Sequence, residues 1–208
     1  MRRLANDPIL KRQLLSRYLW PGMGLACDAD DPLTVDFAAL SHRYEVVRGE
    51  HFELAGPYET GGAYVFEQAL SHSYYHYADT GDEQGVCIYR PHELIFEGDS
   101  LLYHEDRQAS LQAVEPGGLL AISYPALRQL MGRHSMLRTA VEILARQRER
   151  AVNQMGRLLG MPAELRFRQF RDAHRTLLHR LPQRVQALHI NVSRSQFNNL
   201  LKKFGGDG

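Results

Sequence analysis

Leu181-Pro182-Gln183-Arg184-Val185-Gln186-Ala187-Leu188-His189-Ile190-Asn191-Val192-Ser193-Arg194-Ser195-Gln196-Phe197-Asn198-Asn199-Leu200-Leu201-Lys202-Lys203 reads as a helix, a tight turn and a second helix. Asn191 falls where the turn needs a residue that tolerates a left-handed backbone, a role usually filled by Gly or Asn. Ser193 is placed to cap the second helix by accepting a backbone N–H. Phe197, Leu200 and Leu201 then recur at helical spacing, so one face packs inward. Ser193, Arg194, Ser195, Gln196, Asn198, Asn199, Lys202 and Lys203 face elsewhere. Arg and Asn early in an exposed helix are the types that reach guanine and adenine edges in a major groove. These eight are therefore the candidate DNA-binding residues, with Arg194, Ser195 and Asn199 directed at bases and Lys202 and Lys203 at phosphate.

The charge distribution agrees. From Glu164 onward nine basic residues face three acidic ones, a net +6, which leaves −5 for everything before in a chain of net charge +1. A basic terminal segment suits a polyanion, although a solvated helical surface reads the same way. At 208 residues, with 44% hydrophobic and 24% charged, the chain has material for real cores and no compositional sign of disorder. Cys27 and Cys87 are too few for a disulfide framework, a zinc site or an iron–sulfur cluster, and read as thiols in a reducing cytoplasm. No apolar run is long enough to span a membrane, and Arg2-Arg3 is not followed by the apolar core of a signal peptide.

Working upstream, Pro162-Ala163-Glu164 opens the terminal helical domain, and Gly160-Met161-Pro162 closes the element before it. Leu137, Val141, Leu144, Ala151, Met155 and Leu158 mark an apolar seam interrupted by Arg148, on one helix of roughly 27 residues, about 40 Å long. Such a face needs covering, by the chain's own sheet and by a symmetry mate along the seam. Residues 42–123 change character. Tyr44–Val47, 63–78, Gly85–Tyr89, Leu111–Val114 and Leu119–Ser123 are β-branched and aromatic runs separated by turn signals, which argues for an antiparallel sandwich or jelly roll. The first forty residues read as two helices, with Asp7-Pro8 and Asp31-Pro32 as cap-and-first-turn pairs. The expected class is α+β, comprising an N-terminal helical segment (1–40), a double-stranded β-helix or jelly-roll domain (41–133), a dimerisation helix (134–160) and an all-α helix-turn-helix domain (161–208).

That order resembles the Crp/Fnr family of bacterial transcription regulators. Arg48-Gly49-Glu50 is similar to the family's Lys-Gly-Glu, Asp79-Thr80-Gly81-Asp82-Glu83 to its hairpin turn, and Leu120–Tyr124 to the strand entering the short helix before the dimer helix. Ala163-Glu164-Leu165-Arg166-Phe167 resembles the Ala-x-x-Arg-Tyr start of the DNA domain in divergent branches, and Leu181–Lys203 matches the helix-turn-helix without a gap. The resemblance stops before the family's β-wing. It implies a cyclic-nucleotide-binding-like sensor domain, a homodimer reading a palindromic site on double-stranded DNA, RNA polymerase as a further partner, and no catalysis. It also implies effector-binding residues. The family holds phosphate and ribose with a Gly-Glu-Leu turn and, ten residues after that Glu, an Arg-Ser/Thr-Ala segment. Glu97 and Arg107 keep that spacing, and Gln108 and Asn153 stand beside the arginine and on the dimer helix. Phe96 and Gly98 flank Glu97 where the family has Gly and Leu, Gln108 replaces a hydroxyl residue, and Val152-Asn153 replaces a Thr-Ser pair. The expected effector is therefore a small molecule other than a cyclic nucleotide, with no resident cofactor or metal.

Two other readings compete. His72, Tyr74 and His76 alternate on a strand, which raises a metal-binding cupin, but strand residues four apart sit about 13 Å from each other, too far to share an ion. Gln186 and Leu188, where the family prefers an apolar and a small residue, suggest a sensor or scaffold of the same fold that no longer grips DNA.

Overall fold

The computed structural model describes residues 1–204. Its centre is a sandwich built from β1 (Arg2–Arg3), β2 (His42–Val46), β3 (His51–Glu53), β4 (Gly62–Phe66), β5 (Ser71–His76), β6 (Glu83–Tyr89), β7 (Leu94–Ile95), β8 (Ala109–Ala113) and β9 (Gly117–Ser123). One sheet runs β1-β2-β9-β4-β7 and the other β3-β8-β5-β6, with antiparallel pairing throughout the described strands. Val46, Phe52, Phe66, Ile95, Leu111 and Leu119 fill the space between them. The Phe52 ring meets Tyr64 and Phe66 edge-on at 5.0 and 5.2 Å, the arrangement aromatic quadrupoles favour.

The expected strand run over 63–78 is two strands. β4 belongs to one sheet and β5 to the other, so the chain must cross the sandwich edge between them. Glu67 and Gln68 make the bend, where the Glu67 N–H donates to the Gly118 carbonyl.

The helices are α1 (Pro8–Leu14), α2 (Trp20–Gly22), α3 (Pro32–Leu40), α4 (Gly98–Tyr103), α5 (Tyr124–Arg133), α6 (Ser135–Leu159), α7 (Ala163–Ala173), α8 (Gln183–His189) and α9 (Arg194–Phe204). Asp7 caps α1 by accepting from the Leu10 N–H at 3.1 Å, and Asp31 caps α3 by accepting from Leu33 at 2.8 Å, each with proline in the first turn. The first helix is not uniform. A π turn over Leu15–Leu19 separates α1 from α2, and it leaves Leu15, Leu19 and Trp20 all buried, more apolar bulk on one side than a regular α-helix presents at that spacing.

Lys11 explains how this segment is held. Its ammonium is buried and donates to the Ala38 carbonyl and, at 2.9 Å, to the Ser41 carbonyl. Both lie at the C-terminus of α3, where carbonyls lack helical partners and the dipole favours a cation. The first forty residues thereby share one core with Leu120, Ile122, Leu130 and Leu137, as a cap on the outer side of the five-stranded sheet.

α6 shows which part of the seam the chain covers itself. Leu137 and Val141 are buried in that same intrachain core, with Leu144 and Ala145 packed against it, so this half of the seam is used within the chain. Arg148 does not interrupt the inward face. It donates to the carbonyls of Leu94 and Phe96 and lies over the Phe96 ring at 4.5 Å. Met136 and Ile143 stay exposed, with Ala151 exposed and Met155 and Leu158 half-buried further along.

Phe167, Phe170, Leu181, Val185, Phe197 and Leu200 form the core of the terminal head, and that core continues into Leu70 and Val114 of the β-domain. Arg180 clamps the same junction, with its Nε 2.9 Å from Glu115 Oε1 and Nη2 2.8 Å from the Gln68 carbonyl.

Lys11→Ala leaves two carbonyls without their donor. Urea denaturation should show a loss of about 1–3 kcal/mol, and an unchanged midpoint would mean that water replaces the ammonium at no cost.

Candidate nucleic-acid interface and sensor cavity

The helix-turn-helix forms as the sequence predicts, and its local chemistry is explicit. Asn191 has φ 49°, the left-handed conformation its side chain tolerates. Ser193 Oγ accepts from the Gln196 N–H at 3.2 Å while Gln196 Oε1 accepts from the Ser193 N–H at 3.0 Å. This is a reciprocal capping box, and Ser193-Arg194-Ser195-Gln196 carries its spacing in the sequence. Gln196 thus spends its carbonyl oxygen on the cap. Ser193, Arg194, Ser195, Gln196, Asn198, Asn199, Lys202 and Lys203 are all exposed, while Phe197 and Leu200 are buried. Lys203 is ion-paired with Glu164 of α7 at 2.6 Å, which leaves Lys202 the freer cation for a phosphate.

Arg166 joins this head to α6. One guanidinium nitrogen donates to the Leu159 carbonyl at 2.9 Å and the other to the Asn191 carbonyl at 3.3 Å. A single fork therefore touches both the end of the long helix and the turn before α9. The Ala-x-x-Arg spacing marked the residue, but its partners lie seven and twenty-five positions away.

The second feature is a cavity of about 770 Å³ between α6 and the β5–β6–β8 face, within the size range of small-molecule sites. Tyr75, Tyr89, Phe96 and Leu102 supply apolar wall, Glu97, Asp99, Glu142 and Glu149 supply carboxylates, and Arg146 and Arg148 supply positive charge. Of the four residues expected to bind effector, Glu97 and Asn153 line this cavity, and Arg107 and Gln108 do not.

The reason Arg107 is elsewhere is visible in its bonds. Its buried guanidinium donates to the carbonyls of Pro57 and Leu54, the latter at 3.1 Å, and to Thr60 Oγ1 at 3.2 Å. Its Nε lies 3.3 Å from Glu53 Oε1. It pins the loop between β3 and β4. Glu53 also accepts from the Gly62 N–H at 2.9 Å, and burial pushes its carboxyl up to about 7 against the pull of that bond and of Arg107. Glu97 accepts from two successive backbone N–H groups, Gln108 at 2.9 Å and Ala109 at 3.3 Å. Burial raises its carboxyl above the usual range while those bonds draw it back. The two amides that could cradle an anion already hold one from the chain itself. Gln108 is exposed and turns its side-chain amide to the Asp106 carbonyl.

His72, Tyr74 and His76 lie on β5 as expected, with His72 buried and His76 exposed. Gln186 is buried on α8, where its amide donates to the carbonyls of Leu181 at 2.8 Å and Leu178 at 3.3 Å. A polar residue thus satisfies backbone groups at a position where the family prefers an apolar one.

No family model and no curated protein sequence matches the chain. Solved structures do. FixK2 from Bradyrhizobium japonicum superposes with a TM-score of 0.69 at 14% identity, over 81% of this chain and 86% of its own. The c-di-GMP responsive global regulator CLP from Xanthomonas campestris gives 0.66 at 19% identity, over 86% and 93%. A Eubacterium rectale protein described as of the crp/fnr family gives 0.67 at 11% identity, over 85% and 83%.

Ser193→Ala removes the acceptor of the capping box and should lower stability by about 1 kcal/mol in urea denaturation, while Ser193→Asp should retain most of it. Equal stability of all three proteins would show that the box does not hold α9. Sandwich, long helix and exposed terminal helix-turn-helix together give this chain the Crp/Fnr fold.

Proposed function

We propose that the chain is a DNA-binding transcriptional regulator of the Crp/Fnr type. It works in the cytoplasm as a homodimer on a palindromic site, with a small-molecule effector and with RNA polymerase as a further partner. The observation that carries this reading is α9, which leaves Arg194, Ser195, Asn198, Asn199 and Lys202 in solvent while its apolar side is fully used. Two such helices related by a two-fold axis would enter successive major grooves about one helical turn apart. The exposed Met136 and Ile143 on α6 support a pairing surface beside the buried half of the seam. The neighbours' descriptions, a global regulator and a crp/fnr family protein, support the same class.

The reading that DNA binding has been lost drew on Gln186 and Leu188. Both sit on α8, and Gln186 is satisfied within the head, so neither removes anything from α9. A low-salt gel shift against the chain's own upstream region separates the two. Specific retardation supports the regulator, and none at any salt supports a sensor or scaffold. Asn199→Ala should reduce discrimination between sequences, whereas Lys202→Ala should weaken every duplex alike and flatten the salt dependence by about one unit. Identical losses on every duplex would count against these roles.

The effector we propose for the cavity is not a cyclic nucleotide. Support comes from Arg107, spent on Pro57, Leu54, Thr60 and Glu53, and from Glu97, seated on the Gln108 and Ala109 amides. Calorimetry with cyclic AMP and cyclic GMP should show no binding heat. Arg107→Ala should instead cost stability, about 3–5 kcal/mol for stranding a buried charge partner. Binding heat abolished by that substitution, in a protein that remains folded, would reverse the assignment.

A further inference from the structure

The head is not tethered to the β-domain by α6 alone. α8 lies on β6, and His189 at its C-terminal end is fully buried there. The imidazole lies so close over Gly85 that a Cβ at that position would stand 2.5 Å from the ring. His72 of β5 meets His189 at 5.5 Å between ring centroids. Phe170 of α7 lies 6.2 Å from His189 and 4.7 Å from His174, the residue after α7. His72 of β5, His189 of α8 and, across the Phe170 ring, His174 thus gather at one junction. Each has a buried ring nitrogen with no hydrogen-bond partner among the described residues: Nδ1 of His72, Nδ1 of His174 and Nε2 of His189. No group of three or more His, Cys, Asp or Glu placed to hold a metal ion occurs among the described residues. The ion that such nitrogens can still take up is a proton.

We propose that the junction of α8 with β5 and β6 is a proton-operated latch, in which neutral His72, His174 and His189 hold the head on the sheet and their protonation releases it. A buried imidazolium with no acceptor is costly, and releasing the head gives all three rings water. The surrounding charges do not supply that acceptor. Facing His72 are Gln112 of β8, bonded to its Nε2 at 3.1 Å, then Tyr74, His51 of β3, Glu83 of β6 and Arg184 of α8. Glu83 is the one acid among them, and Arg184 lies 3.4 Å from it. Facing His174 is Arg90, and facing His189 are the other two histidines. Burial is the largest influence at all three and lowers each below the ordinary histidine value, His72 to about 4. Groups held low in the docked state make docking independent of pH above their free value near 6.5, and weaken it as pH falls below that. Arg180–Glu115 at the same junction behaves differently. Its hydrogen bonds hold Glu115 below the usual carboxylate range, so this pair contributes no proton uptake in the histidine window and opens only when the head leaves.

The α9 surface is exposed with the head docked, so the latch sets where α9 points rather than whether it is covered. The inference concerns docking alone and does not depend on DNA binding. It is tested on the full chain by NMR from pH 7.5 to 5, following the three imidazoles together with the Gly85 and Ile88 amides. The expected result is one coincident transition below pH 6.5, with docking weakened by up to roughly tenfold per histidine between pH 7 and 5.5. Gly85→Ala, whose methyl displaces the His189 ring, should give the released spectrum already at pH 7.5. The triple variant His72→Gln, His174→Gln, His189→Phe should stay docked to pH 5. Should that variant not fold, His174→Gln alone, at the partly exposed edge, should shallow the transition by one proton. Imidazoles titrating near 6.5 while Gly85 and Ile88 stay unchanged, or an unaltered transition in the variants, would overturn the latch.

Discussion

The structure depends on how α6 is spent. A 25-residue helix with an apolar stripe along its length cannot stand free in water, and this one meets the requirement in two different ways. Its first half enters the core through Leu137 and Val141. Its middle is fastened by Arg148, whose guanidinium both hydrogen-bonds the carbonyls of Leu94 and Phe96 and stacks on the Phe96 ring. An arginine is suited to this because a planar, weakly hydrated fork can lie on an aromatic face while its edge donates. The consequence is a wall: with α6 fixed at Ala145 and Arg148, the space between it and β5–β6 becomes a lined, partly open cavity. Arg166 extends the same logic to the far end, where it shares one side chain between the last turn of α6 and the turn before α9.

At and behind the inner end of that cavity the polar groups are largely engaged with one another. Arg107 is engaged by Glu53 and the β3–β4 loop, with only its Nε left without a hydrogen bond among the described residues, and Glu97 accepts from the amides of Gln108 and Ala109. Binding an anion there means first displacing a carboxylate from two N–H donors and reopening a buried ion pair, each a loss of the kind that costs several kcal/mol in a low-dielectric site. The carboxylates of Asp99, Glu142 and Glu149 share the outer wall with Arg146 and Arg148, and Glu142 is paired with Arg146 at 3.8 Å. A neutral molecule requires neither of those displacements.

Much of this architecture was legible in the sequence because it is written in local chemistry. Asp7-Pro8, Asp31-Pro32, Asn191 and Ser193 each announce a turn or cap through their own backbone preference, and all four form as read. Most strands followed from β-branched and aromatic runs between turn signals, and the exposure of eight residues on and beside α9 from helical spacing. What failed is what depends on a distant partner. The break between β4 and β5 arises because the two strands belong to different sheets, which no run of apolar residues records. The π turn at Leu15–Leu19 serves a core shared with residues a hundred positions away. Arg107 kept the spacing of a ligand-binding arginine, yet spacing along a strand does not say which carbonyls lie opposite its side chain. Arg148 was read as interrupting the seam of α6, because spacing does not show the carbonyls of Leu94 and Phe96 that it reaches.

The head illustrates the same division in its sharpest form. α9 satisfies its own requirements, with a cap, an apolar side and a charged side, and so it reads from sequence alone. α8 does not. Gln186 and His189 are polar residues at buried positions, and each makes sense only through what it touches. For Gln186 those partners are two carbonyls of its own head, which makes it structural. For His189 they are the backbone of Gly85 and two further imidazoles, with a nitrogen left over. A junction built for permanence would place Phe or Leu there, since an apolar ring of the same size buries as well without an unpaired polar atom. The Arg180–Glu115 clamp shows that the same interface can be fastened by fully paired polar groups. Keeping three imidazoles beside that clamp sacrifices hydrogen bonds that the fold could have made, and such a sacrifice is physically useful where the contact has to open.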